Sequence, residues 1–432
     1  MGGHRGWHEH HPDETVQIQM RVLFLSAAAP PSAGSHATRV AAFVEALHKD
    51  GHETVLLTCK WPRPLEESSA LFARTKLSAR VVALPGGMLR AVADGARNRA
   101  AGGIGKGIYR RLRKIALRLC IPDTFILWVP RAVACGIQLG RRSAFDVVVS
   151  SGAPFSSHVA ASLLSMILRI PLALDYGDPW VYEPGRRRTG LRLVVERWIE
   201  RKVIARARVI YVTTDETKSL YQERFRVDEE RVVVASMGYD PSDFSEIPAH
   251  GPPGPRVFVY AGKVNDEYRS LDGLAAFMRG LESGGVSFKV LFFGSGPKVE
   301  QELGDYVRRG LVESRGSLDH PDYVRELRSA HANIILGNSS DVQVPGKVAN
   351  CLAARRPIAY FPNMDDLSRD PTLALLRRGV LRGLHVHGVD DFTLVAWARK
   401  DECTLDQHVL DQISWPVVGA KFVDGLERAC VS

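Results

Sequence analysis

The sequence lacks several features that would assign it to a class at once. Its six cysteines form no Cys-x-x-Cys pair and no Cys/His cluster, which excludes a typical structural zinc site and a disulfide-rich secreted scaffold. Residues 1–19 have no apolar core of a secretory signal, and no later run reaches the roughly 18 apolar residues of a membrane-spanning helix. We therefore expect a cytoplasmic protein with reduced thiols and a disordered leader over residues 1–19.

The composition is ordinary for a globular chain. With 432 residues, of which 45% are hydrophobic and 24% charged, the sequence is long enough for two domains with separate cores. The net charge of +9 favours anionic partners such as nucleotides or phospholipid surfaces. Nucleic acid is not an expected partner, because the basic residues near Arg110 are not interleaved with aromatic side chains and no recognition motif is present.

Short apolar segments alternate with amphipathic ones along most of the chain. Between residues 20 and 245, six strand-like segments are separated by loops and helical patterns, from MRVLFLS to RVIYVTT. This alternation predicts a parallel, doubly wound sheet. The Pro- and Gly-rich segment Glu246–Pro255 is interpreted as a linker, and the alternation resumes over 256–410. We expect an α/β protein with two Rossmann-like domains facing across a cleft, and a C-terminal helix over 411–432 that packs back on the first domain.

The segment VQVPGKVANCLAARRP, Val342–Pro357, joins a Pro-Gly-Lys turn to a helical pattern that leads into the strand-like PIAYF. Such a turn can present free backbone N–H groups, the positive end of a helix dipole and a lysine, which suit a phosphate group, although it is also common as a plain helix start. Two upstream segments, RVFVYAGKVN and FKVLFFGSGP, each read as a strand that ends near glycine. Because ligands bind beyond the carboxyl ends of parallel strands, these endings predict one pocket for a phosphorylated ligand.

A basic insertion, residues 89–144, separates the third and fourth predicted strands. Its middle, Gly105–Arg118, carries six cations and no acid, and the apolar run IPDTFILWVP follows. A basic helix beside aromatic and aliphatic residues is typical of an interfacial membrane segment, so residues 105–128 are a candidate contact with anionic lipid at the inner face of a membrane. The alternative is the solvated face of an ordinary helix.

Seven motifs, in their order along the chain, resemble those of glycosyltransferase family four. They are PPSAGSHATR, SGAPFSSHVAA, LDYGDPW, SMGYDPSDF, VYAGKVN, FFGSGP and VPGKVANCLAARRPI. The bacterial surface-polysaccharide branch of that family is the most similar. The resemblance implies the two-domain B-type fold (GT-B) and transfer of a sugar from a nucleoside diphosphate sugar to an acceptor hydroxyl, with retention. It also implies that no cofactor and no obligatory metal are needed.

The resemblance implies a donor site in the cleft, formed mainly by small, basic and turn residues. Carried over by position, the donor-binding residues are Gly34, Gly262, Lys263, Arg269, Gly294, Ser295, Gly316, Ser317, Leu318, Pro345, Gly346, Lys347 and Asn350. Residues 262–263 and 345–347 would contact the diphosphate, whereas residues 294–295 and 316–318 would line the nucleotide.

Four residues are candidates for the chemistry. Lys263 and Lys347 would neutralise the departing diphosphate, because sugar transfer depends chiefly on positioning and charge stabilisation. With retention the leaving phosphate can take the acceptor proton, whereas inversion would need a base, for which Asp178 and His158 are the candidates. The dipole of a predicted helix would keep His158 neutral. Helix packing is the structural alternative for His158 and turn capping for Asp178, while Asp175 is expected to orient backbone.

The sequence departs from the family pattern at three places. Val342 and Asn350 stand where two glutamates eight positions apart are common, Gly177 stands where the branch favours arginine, and SAGSH replaces paired glycines. Two alternatives therefore stay open: a same-fold enzyme with other nucleotide-sugar chemistry, such as an epimerase or a coupling enzyme, and an inactive nucleotide-sugar-binding scaffold. The acceptor hydroxyl would lie on a saccharide, a lipid-linked saccharide or a small molecule. The pairs at 365–366 and 390–391 are expected in exposed turns and not at a metal.

Overall fold

The computed structural model describes residues 19–30, 34–60, 77–86, 120–183, 188–245, 254–264, 269–294 and 296–431. A parallel sheet of seven strands and another of six each form the centre of an α/β domain. These two sheets confirm the fold class that the alternating sequence pattern predicts. The predicted leader, except its last residue, and most of the predicted linker lie outside the described residues.

The first domain is built on the seven-stranded sheet. Its strands are β1 (Arg21–Ser26), β2 (Glu53–Lys60), β3 (Arg80–Pro85), β4 (Val147–Gly152), β5 (Leu172–Tyr176), β6 (Val209–Val212) and β7 (Val232–Val234). Its helices are α1 (Ser35–Lys49), α2 (Val129–Arg142), α3 (Ser156–Leu168), α4 (Gly190–Arg206) and α5 (Asp215–Phe225). The strand order is β3-β2-β1-β4-β5-β6-β7. Central strands β4 and β5 are buried along their whole length, as expected where helices cover both faces of a parallel sheet.

The second domain is built on the six-stranded sheet. Its strands are β8 (Arg256–Ala261), β9 (Phe288–Phe293), β10 (Val312–Arg315), β11 (Ala332–Leu336), β12 (Ile358–Phe361), β13 (Val380–Arg382), β14 (Leu384–Val386) and β15 (Thr404–Leu405). The parallel order is β10-β9-β8-β11-β12-β14, and β13 and β15 form a separate antiparallel pair. Its helices are α6 (Asp272–Ser283), α7 (Lys298–Glu302), α8 (Gly304–Arg308), α9 (His320–Ser329), α10 (Val348–Ala353), α11 (Pro371–Gly379), α12 (Leu394–Ala398) and α13 (Gln407–Gln412).

The last helix, α14 (Trp415–Val431), returns to the first domain. There it packs beside α1 on one face of the first sheet, whereas α2, α3 and α4 pack on the core of the other face. The Phe422 ring stacks on that of Phe43 with the ring centroids 4.0 Å apart. Tyr211 donates its hydroxyl hydrogen to the Phe422 carbonyl at 2.7 Å. The predicted return of the C-terminal helix is therefore confirmed.

The apolar run that follows the basic insertion belongs to the core. Trp128 is fully buried, Phe125 is nearly so, and both lie in the cluster that α2, α3 and the first sheet form. Residues 87–119, which include the cations of the predicted membrane segment, lie outside the described residues. For residues 125 and 128 the membrane prediction is wrong, because these side chains fill the protein interior. Within the described ranges, no helix combines the length and the apolar character that crossing a bilayer requires.

The two domains contact each other through residues that follow the carboxyl ends of their strands. Thr214 and Thr217, after β6, donate their hydroxyl hydrogens to the carbonyl of Val342 at 2.9 and 2.8 Å. Gly346 approaches the start of α1 so closely that an added Cβ would lie 3.4 Å from Ser35 Cβ. The segment that carries the predicted phosphate turn is thus held against the first domain.

Candidate functional site

A half-buried lysine, Lys347, lies just before α10 and beside the carboxyl end of β8. The Nζ atom of Lys347 lies 3.5 Å from the centroid of the Tyr260 ring. This atom is buried and has no hydrogen-bond partner among the described residues. Burial, followed by the positive charge of Arg269, lowers the pKa of the Lys347 ammonium well below its usual range. The site therefore holds a desolvated cation whose charge an anionic ligand would compensate.

The turn after β8 passes close to this lysine. Gly262 has a φ of +141°, and a Cβ added there would lie 3.1 Å from Lys347 Nζ. Glycine suits the position for two reasons: the backbone conformation disfavours other residues, and a side chain would crowd the ammonium. The turn leaves the Nζ atom uncovered by a side chain from residue 262.

Arg269 is the second cation of this cluster. Its Nη1 donates to the Lys263 carbonyl at 2.6 Å and to the Tyr260 hydroxyl at 3.2 Å. Its Nη2 donates to Asn338 Oδ1 at 3.2 Å. These partners are neutral acceptors, so they orient the guanidinium without compensating its charge. Lys263 itself is exposed, and its carbonyl makes the contact with Arg269; the predicted role of its ammonium stays a prediction.

The other predicted donor-binding residues also follow strands of the two sheets. Gly294, after β9, lies beside Ser317, since a Cβ at residue 294 would be 3.6 Å from Ser317 Oγ. Gly316 and Ser317 are exposed and Leu318 is half-buried. Gly34 precedes α1, and residue 295 lies outside the described residues. Pro345 is buried in the segment 342–346 that contacts the first domain, the interdomain segment. Their part in binding stays a prediction.

Asn350 lines a cavity that is separate from the other predicted donor-binding residues. None of the others that the structure describes lines this cavity. The cavity has a volume of about 580 Å³ and lies between α1, α14 and the start of α9. Asn350 forms a side-chain hydrogen bond with Tyr323, whose pKa is raised chiefly by burial. Its amide is thus already engaged within the second domain.

His36, at the start of α1, is a cleft residue that the sequence analysis missed. Its Nε2 lies 3.3 Å from Ser26 Oγ, at the end of β1. Its Nδ1 would lie 3.7 Å from a Cβ at Gly177, which follows β5. Burial, opposed by the charge of Asp175, lowers the pKa of His36 to about 4, so the imidazole is neutral near pH 7. The histidine of SAGSH was the available signal, but its proximity to Gly177 follows only from the strand order.

His158 lies in the first turn of α3, and the predicted contribution of the helix dipole to its neutral state stays a prediction. Its side chain is fully buried, with Nδ1 2.7 Å from Ser150 Oγ. A Cβ at Gly152 would lie 2.7 Å from its Nε2. Burial is the largest cause that lowers its pKa to about 3. Since an acceptor cannot reach a fully buried ring without a rearrangement, this position favours packing over a direct role as a base.

The two aspartates of LDYGDPW have different surroundings. Asp175 forms a fully buried ion pair with Arg39, at 2.7 Å, and accepts a hydrogen bond from Ser151. Asp178 is exposed and accepts a hydrogen bond from Gln343 Nε2 at 2.8 Å, across the domain boundary. Asp178 therefore links the domains, and any role as a base would compete with this contact.

Among the described residues, one group has spacing that could suit a metal: Asp50, His52 and Glu427. The Nδ1 atom of His52 accepts a hydrogen bond from the Met20 backbone at 3.2 Å. A neutral ring then carries its hydrogen on Nε2, which lies 3.8 Å from the Asp50 carboxylate and 3.5 Å from that of Glu427. A metal would need the Nε2 lone pair, so this arrangement fits an N–H facing two acceptors better than a metal centre.

Several solved structures share this architecture. A glycosyltransferase from Rickettsia africae ESF-5 is 10% identical, with a TM-score of 0.61 over 95% of this chain and 98% of that one. Sucrose-phosphate synthase from Thermosynechococcus elongatus is 14% identical, with a TM-score of 0.58 over 96% and 94% of the two chains. UDP-GlcNAc 2-epimerase from Neisseria meningitidis, bound to UDP-GlcNAc, is 11% identical, with a TM-score of 0.53 over 95% and 100%. These similarities establish the two-domain GT-B fold.

The sequence of the first domain is similar to a known family. Residues 36–243 match the family model described as Glycosyltransferase Family 4. This match confirms the resemblance to glycosyltransferase family four that the motifs indicate, and the bacterial surface-polysaccharide branch stays a prediction. No curated protein sequence matches the chain.

Proposed function

We propose that this protein transfers a sugar from a nucleoside diphosphate sugar to an acceptor hydroxyl, with retention at the anomeric carbon. The observation that carries the proposal is the buried Lys347 ammonium, which has no hydrogen-bond partner in the described part of the chain. Arg269 adds a second positive charge that neutral acceptors orient. A desolvated ammonium beside a half-buried guanidinium, both near the end of a strand, suits a diphosphate, which carries concentrated negative charge.

The cations act on the leaving group. As the glycosidic bond breaks, negative charge develops on the diphosphate, and preoriented cations in a poorly hydrated site stabilise that charge without reorganisation. Gly262 allows the diphosphate to approach Lys347 because it has no side chain. Lys263, which is exposed beside the same turn, would contact the outer phosphate oxygens after donor binding. The leaving phosphate takes the acceptor proton, so no protein base is required.

The first domain supplies the acceptor side. His36 is neutral, half-buried and located where α1 contacts the interdomain segment, so its imidazole can hydrogen-bond a sugar or acceptor hydroxyl. Neither a cofactor nor a metal has a part in this proposal. Acceptors to examine are saccharides of bacterial surface polysaccharides, lipid-linked saccharides and small natural products.

The test combines binding with product formation. Thermal stability is measured with uridine, guanosine, adenosine and thymidine diphosphates and their common sugar conjugates, for the wild type, Lys347→Met and a matched control, Lys421→Met, on α14. Stabilisation by one nucleotide, lost only in Lys347→Met, followed by donor-dependent product in an acceptor screen, would support the proposal.

Other outcomes would favour the alternative functions. Conversion of the donor sugar without any acceptor would favour an epimerase. Tight nucleotide binding with no turnover across donors and acceptors would favour a binding scaffold. Equal stabilisation of both lysine variants would remove Lys347 from the donor site.

A further inference from the structure

Helix α4 exposes a stripe of large apolar side chains. Leu191, Val194 and Trp198 have relative exposures of 79%, 63% and 61%. Their spacing of three and four residues places them on one side of the helix. A tryptophan that is more than half exposed, in line with two exposed aliphatic residues, is unusual for a surface that faces only water.

The acidic and basic side chains of the same helix lie on different sides of it. Both carboxylates of α4 face inward: Glu196 accepts from the Trp180 indole at 3.0 Å, and Glu200 accepts from the Tyr221 hydroxyl at 3.0 Å. Both glutamates are fully buried. The cations flank the apolar stripe, with Arg201 and Lys202 exposed one turn beyond the tryptophan. The outward face of α4 is therefore apolar along its centre and positive at its sides.

A cavity at the C-terminal end of α4 continues this positive surface. It has a volume of about 610 Å³, and its described lining includes four arginines and no carboxylate. The arginines are Arg201, Arg224, Arg226 and Arg231. The remaining lining is largely aliphatic and aromatic, with Ile204 and Phe225 among its residues. Such a cavity suits an anionic group attached to an apolar one.

Neighbouring elements extend the surface. On α3, Met166 and Ile167 are 46% and 47% exposed, and Arg206 of α4 lies 3.2 Å from the Met166 sulfur. At the other end, Arg192 donates to the Pro122 carbonyl at 3.0 Å. Pro122 comes four residues after the stretch 105–118, which carries six cations. The surface thus extends to described residues that come shortly after the most basic stretch of the sequence.

We propose that the outward face of α4 binds the surface of an anionic phospholipid membrane, with Leu191, Val194 and Trp198 inserted at the level of the headgroups. The arginine-lined cavity binds a lipid phosphate. An apolar stripe with an interfacial tryptophan and cations on both sides is the pattern by which helices lie in the plane of a bilayer. A second copy of this chain fits the face less well, because two such faces would oppose cations to cations.

The test measures binding of the full chain to vesicles of phosphatidylcholine alone and of phosphatidylcholine mixed with phosphatidylglycerol. Trp198→Ser is compared with Phe392→Ser, since Phe392 is the 88% exposed aromatic residue of the second domain. Arg226→Gln is compared with Arg382→Gln, an exposed arginine of β13. We expect wild-type binding only to the anionic vesicles, a loss of about tenfold in Trp198→Ser and of about fivefold in Arg226→Gln. Both controls should bind as the wild type does.

Three results would overturn the proposal. The first is no binding to anionic vesicles, and the second is equal binding of Trp198→Ser and Phe392→Ser. The third is a dimer in sedimentation that Trp198→Ser dissociates, which would assign the face to a second copy. Thermal stabilisation by inorganic phosphate that Arg226→Gln removes, without vesicle binding, would reassign the cavity to free phosphate. Because all four side chains are exposed, unchanged melting temperatures should show that the variants are folded.

Discussion

Replacing Lys347 by methionine should stabilise the free protein. Methionine keeps an unbranched side chain beside Tyr260 but removes an ammonium that is buried without a hydrogen-bond partner among the described residues. Leaving a buried donor unsatisfied costs about 1–3 kcal/mol, and more for a charged group. The lost cation–π contact, worth up to about 2 kcal/mol, is partly replaced by a sulfur–aromatic contact of about 1 kcal/mol. Because the removed group is charged, the upper part of the first range, about 2–3 kcal/mol, applies, and the expected net gain is about 1–2 kcal/mol.

That gain is large enough to measure by calorimetry or thermal shift. A domain of this size changes its melting temperature by about 2–4 °C per kcal/mol, so an increase of about 2–8 °C is expected for the second domain. The same variant should lose stabilisation by nucleotides, which for the wild type reaches about 2.7 kcal/mol at a ligand concentration 100 times the dissociation constant. Lys421→Met should change neither quantity. A melting temperature of Lys347→Met below that of the wild type would refute the reasoning, because the ammonium would then be stabilising the free fold.

Three further predictions concern the first domain and its contact with the second. The folded-state pKa of His158, about 3, lies below its ordinary value of 6.5. Between these values the unfolded chain binds a proton that the folded chain does not, so the free energy of unfolding falls as the pH drops below 6.5. His158→Asn should reduce the slope of unfolding free energy against pH by up to about 1.4 kcal/mol per pH unit. An unchanged slope, equal to that of the exposed His408→Asn, would contradict it. Replacing Gln343 by leucine removes the hydrogen bond to Asp178, so the free protein should show a larger radius of gyration in solution scattering. The control Gln301→Leu, at an exposed position, should not change it. Identical scattering profiles of the two variants would show that this contact does not hold the domains together. Finally, His36→Ala should lower turnover by about 100-fold without changing nucleotide stabilisation, because it removes a hydrogen bond that positions a sugar or acceptor hydroxyl. Turnover equal to that of His408→Ala would exclude His36 from the reaction.

The sequence predicts the two sheets well because buried parallel strands are continuous apolar runs. β4 and β5 are buried at every position and are bounded by turn residues, so their pattern is clear. β7 and the short strands β13–β15 are missed, because two or three residues carry no recognisable period.

The same limits explain the errors at the surface. Trp128 follows a basic segment and resembles part of an amphipathic membrane helix, yet it is core, because a composition pattern does not state which side faces the protein. On α4 the opposite error arises, because residues that look like core are exposed. Its apolar residues have the spacing of a core-facing stripe, but Glu196 and Glu200 occupy the inner side through hydrogen bonds to distant residues.

Some residues of the candidate site can be predicted from the sequence, whereas their mutual proximity cannot. Lys347 and Gly262 are predictable because each lies in a local turn motif that follows or precedes a recognisable element. Their proximity to each other, and that of His36 to Gly177, depends on which strands are neighbours in a sheet. The burial that keeps both His36 and His158 neutral is likewise a tertiary property that single-sequence patterns do not contain.

The central claim is that Lys347 contacts the diphosphate, and proton uptake on binding tests it most directly. Since the pKa of the free ammonium is lowered well below its usual range, a bound diphosphate would raise it, and Lys347 would take up a proton at alkaline pH. We would titrate the four nucleoside diphosphates by calorimetry between about pH 7.5 and 9.5, where their phosphates are ionised, in buffers of different ionisation enthalpy. The account predicts proton uptake in the wild type that Lys347→Met abolishes and Lys421→Met retains. Binding with the same proton uptake in Lys347→Met would contradict it.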